Sequence, residues 1–212
     1  MATIYVDKPD RDGLNPRQDK DSYLTQPELA HATISWMADN LSMGYVKKIL
    51  DPGAGTGVWG KAARWRYRNL AEIDGVEIRR NKNPGYYNNW YPRTDYLKWP
   101  ISTLYDLIIG NPPFKLAEAF VRKSLSSLNH LGWLCFLLPS DFAHTQGRAR
   151  GLFTEHPPEY LLSLAERPVF TGPSGQSLGN ANPNNYSLFL WQNLFDKNVL
   201  TTWRPFLWKT KN

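Results

Sequence analysis

A mainly parallel α/β sheet with helices on both faces is the fold that this 212-residue chain predicts, and three features predict it. Strand-like and helix-like stretches alternate from about residue 45 to Leu138, the pattern of a sheet wrapped by helices. A glycine-rich turn, Asp51-Pro52-Gly53-Ala54-Gly55-Thr56-Gly57, joins the strand-like run Tyr45 to Leu50 to a helical stretch from about Val58 to Arg68. After Leu138 that alternation stops, and the last strand-like runs have no obvious long helix between them.

Taken in order, residues 1–22 are dominated by Asp, Lys, Arg, Asn and Pro and read as a mobile polar arm, because such a composition buries too little apolar surface to offset ordering entropy. Pro27 then opens a helix, with Leu29, Trp36, Met37 and Leu41 at helical spacing, that runs to about Ser42 before Gly44. Strand-like runs end at Val76-Glu77-Ile78 and Thr94-Asp95-Tyr96, and a fourth contains Tyr105, Leu107, Ile108 and Ile109. The stripe Ala117, Phe120, Val121, Leu125 and Leu128 predicts a core-facing helix closed by Gly132. Gly132 to Ser140 reads as the next strand, and Tyr186, Leu188 and Leu190 mark the last. The expected organisation is an arm over 1–22, one catalytic domain over 23–194 and a basic aromatic tail over 195–212.

Two segments carry chemistry. Asn111-Pro112-Pro113-Phe114 follows the fourth apolar run, where the carboxyl ends of buried strands face the ligand crevice of an open sheet. Consecutive prolines prevent helix and ladder pairing there, which leaves the Asn111 side-chain oxygen and the Pro112 carbonyl as fixed acceptors and Phe114 as a stacking plate. Those parts suit an exocyclic amino group on a flipped base: the acceptors draw off its N–H hydrogens and the ring replaces lost stacking. The glycine turn is the other segment. Gly55 to Gly60 also matches a dinucleotide-binding pattern, but the Asp51 carboxylate beside it would repel a pyrophosphate and suits an ammonium and a sulfonium.

Together the turn and the Asn-Pro-Pro-Phe segment resemble motifs I and IV of the class I S-adenosylmethionine-dependent methyltransferases, specifically those acting on adenine N6. The resemblance extends from about Tyr23 to Trp191. It implies a Rossmann-like, mainly parallel seven-stranded sheet with an antiparallel C-terminal edge hairpin, and S-adenosylmethionine as cofactor. It implies that Thr25, in Thr25-Gln26-Pro27-Glu28, holds the methionine carboxylate, where relatives often have Pro at the position of Gln26. Asp51, Gly53, Gly55, Gly57 and Asn111 then line the cofactor site. Glu77 takes the ribose hydroxyls, Asp95 accepts from the cofactor's adenine, and Ile78 and Tyr96 form apolar walls. Pro168-Val169-Phe170 resembles motif VIII, so Phe170 stacks on the base opposite Phe114. A target-recognition domain, which such enzymes carry after the catalytic region, has no counterpart in the roughly twenty residues that follow the last strand.

The charge is +6, and the first 22 residues hold four basic and five acidic groups, so the rest carries 21 basic against 14 acidic. A basic domain favours a polyanion, and nucleic acid is the expected partner, DNA ahead of RNA. Arg148 and Arg150 are the candidate phosphate contacts, in a loop from His144 to His156. Target selection is expected from the loops His144 to His156 and Thr171 to Asn185, from the terminal arms, or from a specificity subunit or a second copy. Arg64, Arg66 and Arg68 read as a solvated helix face. Trp203, Phe206 and Trp208, interleaved with Arg204, Lys209 and Lys211, suit either base stacking or packing on the sheet edge.

The single cysteine, Cys135, sits in an apolar run, so no disulfide framework is expected and a reducing compartment, the cytoplasm, is. His31, His130, His144 and His156 lack metal-site spacing, and no metal or membrane span is expected. The function expected is methyl transfer to adenine N6 in DNA with the base flipped out. An RNA base or a protein glutamine amide as acceptor, and a noncatalytic subunit that binds cofactor and nucleic acid, are the other readings.

Overall fold

The computed structural model describes residues 24–43, 46–169 and 184–194, and the backbone of a further strand at 202–206. Its elements run α1 (Pro27–Asn40), β1 (Lys48–Asp51), α2 (Val58–Tyr67), β2 (Glu72–Glu77), β3 (Asn89–Pro92), β4 (Tyr105–Gly110), α3 (Ala117–Leu125), β5 (Leu128–Pro139), α4 (Gln146–Arg150), α5 (Leu152–Glu155), β6 (Tyr160–Leu164), β7 (Tyr186–Gln192) and β8 (Thr202–Phe206). They form one sheet in the order β3-β2-β1-β4-β5-β7-β6-β8. This is the class I methyltransferase fold.

Strands β3, β2, β1, β4 and β5 are mutually parallel, and β7 pairs antiparallel with both β5 and β6. The antiparallel pair is therefore present, with β7 inserted between β5 and β6. The edge belongs to an eighth strand, β8, parallel to β6, in a stretch expected to be tail. Pro205 is tolerated there because an edge strand leaves one side of its backbone without a ladder.

Alternation along β5 shows how the sheet buries both faces. Trp133, Cys135 and Leu137 point to the side covered by α1 and α2, where they join Leu29, Ile34, Met37, Trp59 and Ala63. Leu134, Phe136 and Leu138 point to the other side and meet Phe120 and Val121 of α3. Each fully buried Leu contributes roughly 1.5–3 kcal/mol, so these two layers dominate the fold's stability. Cys135 is a core residue with its thiol pushed up by burial.

Helix α3 is shorter than its apolar stripe. The Ser126 and Ser127 hydroxyls both donate to the Lys123 carbonyl and end it. Leu128, expected on the helix, instead begins β5 opposite Tyr105, and the ladder resumes at Leu107 and Trp133 after an irregularity in which Leu131 takes a left-handed φ of 64°.

Segments on which other expectations fall, residues 1–22, 170–183 and 207–212, lie outside the described residues, and so does Phe170. No helix among the described residues is long and apolar enough to cross a membrane.

Candidate active site

β1 and β4 lie side by side where strand order reverses, with Ile49 opposite Leu107 and Leu50 opposite Ile108. The crevice of a parallel sheet opens at such a switch point. The glycine turn leaves β1 and the Asn111-Pro112-Pro113-Phe114 segment leaves β4, so sheet register alone brings the two together. A Cβ added to Gly53 would stand 3.9 Å from the Asn111 carbonyl oxygen.

The turn is held on three sides. Gly55 and Gly57 take left-handed φ values of 55° and 85°, where a side chain would be strained. The Ala54 amide donates to the Val76 carbonyl at 3.0 Å, and the Gly55 amide donates to Glu77 Oε2 at 2.6 Å. Glu77 Oε1 accepts from the Arg79 amide at 2.8 Å. The buried Glu77 carboxylate is thereby fixed at the end of β2, one residue before Ile78, which is 37% exposed despite its apolar side chain. Ahead of α1, Leu24 lies 3.8 Å from where a Gly55 Cβ would be, and the hydroxyl of its neighbour Thr25 is buried without a hydrogen-bond partner among the described residues.

Asp51 is fully buried. Its Oδ2 accepts from the Tyr87 hydroxyl at 2.8 Å, and its Oδ1 has no hydrogen-bond partner among the described residues. Burial pushes the carboxyl up to about 7 against the pull of the Tyr87 bond. A buried carboxylate oxygen left open beside three glycines fits a cationic ligand group that approaches the backbone closely.

At the end of β4, Pro112 is buried and Asn111 and Phe114 are half-buried. Phe114 packs at 5.7 Å, tilted 44°, against the buried ring of Tyr186 on β7. Asp95 lies past the end of β3, partly exposed; its Oδ1 accepts from the Leu97 amide at 3.0 Å and its Oδ2 is 3.7 Å from Lys98.

Other residues go elsewhere. Tyr96, expected as an apolar wall, is only 2% exposed and belongs to the core, its ring against Phe120 and its hydroxyl bonded to Ser124 at 2.9 Å. Arg148 lies over the Phe142 ring at 4.2 Å and donates to the Phe142 carbonyl at 2.8 Å, so much of its hydrogen-bonding capacity is used within the chain, whereas Arg150 is exposed. Arg64 is not on a solvated face. It donates to the carbonyls of Tyr86 and Ala71 and to Asn88, tying the β2–β3 loop to α2.

That loop supplies what sequence reading missed. Pro84 would lie 2.5 Å from a Gly57 Cβ, Asn81 donates to the Gly55 carbonyl at 3.4 Å, and Tyr87 reaches Asp51. The available signal was indirect: Gly60 inside a helix and Gly75 inside a strand both carry a conformational cost of roughly 0.5–1 kcal/mol relative to Ala, and both lie against the Tyr87 ring. Gln26 also has a defined task, its side-chain oxygen accepting from the Val169 amide at 3.1 Å.

No family model or curated protein matches the sequence. Among solved structures, a protein from Listeria monocytogenes described as a class I S-adenosylmethionine-dependent methyltransferase superposes with a TM-score of 0.62 at 13% identity, over 85% of this chain and 65% of that one. A type I restriction-modification system methyltransferase subunit from Streptococcus thermophilus gives 0.59 at 16% identity, over 86% of this chain and 47% of that one. A DrdV–DNA complex gives 0.54 at 13%, over 87% and 27%. The chain thus spans less than two thirds of the length of each.

Proposed function

We propose that the chain transfers a methyl group from S-adenosylmethionine to the N6 amino group of adenine in DNA, with the target base flipped out. One observation carries the reading: a glycine turn with an open buried carboxylate and an Asn-Pro-Pro-Phe segment stand at adjacent strand ends, Gly53 facing the Asn111 carbonyl.

The residues present fit the cofactor that this fold implies. Asp51 and Thr25 would take its methionine end, Gly53, Gly55 and Gly57 give it close backbone approach, and Glu77, Asp95 and the exposed Ile78 serve its adenosine. Bound there, S-adenosylmethionine supplies an electrophilic methyl group on a sulfonium. Asn111 Oδ1 and the Pro112 carbonyl would accept hydrogen bonds from the amino group of the base, which localises the nitrogen lone pair. As the N–C bond forms and the methyl–sulfur bond breaks, the amine becomes strongly acidic and its surplus proton passes to water, so no strong general base is needed. Phe114, backed by Tyr186, offers the stacking face that the flipped base loses in the duplex. Phe170 is proposed for the opposite face, and Arg150 with Arg148 for phosphate.

DNA is favoured by the basic balance of residues 23–212 and by fold neighbours described as a restriction-modification subunit and a DNA complex. Because the chain spans 47% and 27% of those two, target selection by a specificity subunit or a second copy is part of the proposal. The test is incubation with labelled S-adenosylmethionine and mixed-sequence DNA or RNA, followed by mass spectrometry of the nucleosides. N6-methyladenine from DNA is expected; label in RNA only, or in neither polymer, contradicts the assignment.

A further inference from the structure

The geometry points to Tyr87 as a positioning residue for cofactor binding: its hydroxyl donates to one oxygen of Asp51, favouring the charged carboxylate and leaving the other oxygen to the ammonium of the bound methionine moiety. This rests on the cofactor reading above and assigns a role to a residue of the β2–β3 loop that no motif contains.

The arrangement is built for that contact. The Tyr87 ring passes between α2 and β2, where Gly60 and Gly75 leave room for it. A Cβ on Gly75 would lie 2.7 Å from the ring, and one on Gly60 would overlap it. The ring is 5% exposed and lies 5.2 Å from that of Trp90, whose indole nitrogen donates to the Asn81 carbonyl. Asn83 donates to the Tyr87 carbonyl at 3.1 Å, and Asn88 accepts from the Ile73 amide at 2.9 Å. Both ends of the loop segment are therefore anchored, and the hydroxyl has a fixed target, Asp51 Oδ2.

Two titratable groups face Asp51 among the described residues: Tyr87 from the loop and Glu77 from the end of β2. Burial raises the Asp51 carboxyl most; Tyr87 lowers it by donating, the Gly53 and Gly60 amides lower it further, and Glu77 raises it by repulsion. Tyr87 itself is pushed well above its ordinary range by burial and by Asp51, so it remains a donor throughout the working pH range. Without that donor, Asp51 holds its proton to higher pH, and a protonated carboxyl attracts an ammonium poorly.

The test is calorimetric binding of S-adenosylhomocysteine, which keeps the ammonium, to wild type and Tyr87→Phe between pH 5.5 and 9. Wild type is expected to lose affinity on acidification, and Tyr87→Phe to match it within a few-fold at pH 9 while its acid limb moves up by about one pH unit. A uniform loss at every pH, or superimposed curves, overturns the assignment. A wild-type chain that binds at no pH overturns it together with the cofactor reading. Should Tyr87→Phe fail to fold, 3-fluorotyrosine at position 87, a stronger donor of similar shape, is expected to move the acid limb down, and an unmoved limb overturns the role equally.

Discussion

The Gly55 amide donates to the Glu77 carboxylate across 2.6 Å, joining the turn after β1 to the end of β2. One side chain thus shapes the glycine turn and, in the proposed function, also takes the ribose. Glu77→Ala would leave the Gly55 and Arg79 amides without an acceptor, at about 1–3 kcal/mol each if they stay buried. A lower melting temperature and roughly tenfold or weaker S-adenosylhomocysteine binding are expected, the first by thermal denaturation and the second by calorimetry.

In the proposed function, Asp51 sets ligand affinity against stability. Its folded carboxyl lies near 7 against an ordinary value of 3.8, so the folded chain holds a proton that the unfolded chain releases. The group's penalty is absent below the unfolded value, grows as pH rises between the two and is complete above about 7, on the order of 4 kcal/mol. Asp51→Asn removes it. The variant is expected to melt higher than wild type at pH 8, to converge with it toward pH 4 and to bind S-adenosylhomocysteine poorly at every pH; melting curves across that range check the sign.

Gln26 holds the segment that precedes Phe170. Gln26→Ala deletes the acceptor of the Val169 amide, a loss of about 0.5–1.5 kcal/mol. Cofactor affinity is expected to stay within a few-fold while KM for DNA rises, because the bond fixes the proposed base-facing segment. Parallel loss of both would place Gln26 in the cofactor site instead.

How much of this was legible in the sequence depended on range. Periodicity exposed the strands and the turn because each is a local pattern, and the turn's neighbour β4 followed from the topology such patterns imply. Leu128 was misplaced because an apolar residue three after Leu125 satisfies a helical stripe, while the deciding bonds come from the Ser126 and Ser127 hydroxyls. Tyr96 adjoins Asp95 in sequence, but Tyr96 turns into the core and Asp95 outward, which adjacency does not encode. Tyr87 meets Asp51 across 36 residues, and nothing local announces that contact.

Asn111→Ala, assayed for turnover on DNA and for S-adenosylhomocysteine affinity in the same preparation, tests the central claim most directly. Loss of the amino-group acceptor is expected to lower kcat by about 100- to 1,000-fold while affinity stays within a few-fold, since Asp51, Glu77 and the glycine turn are untouched. Turnover near wild type, or affinity falling in step with it, would contradict an Asn111 that grips the acceptor base.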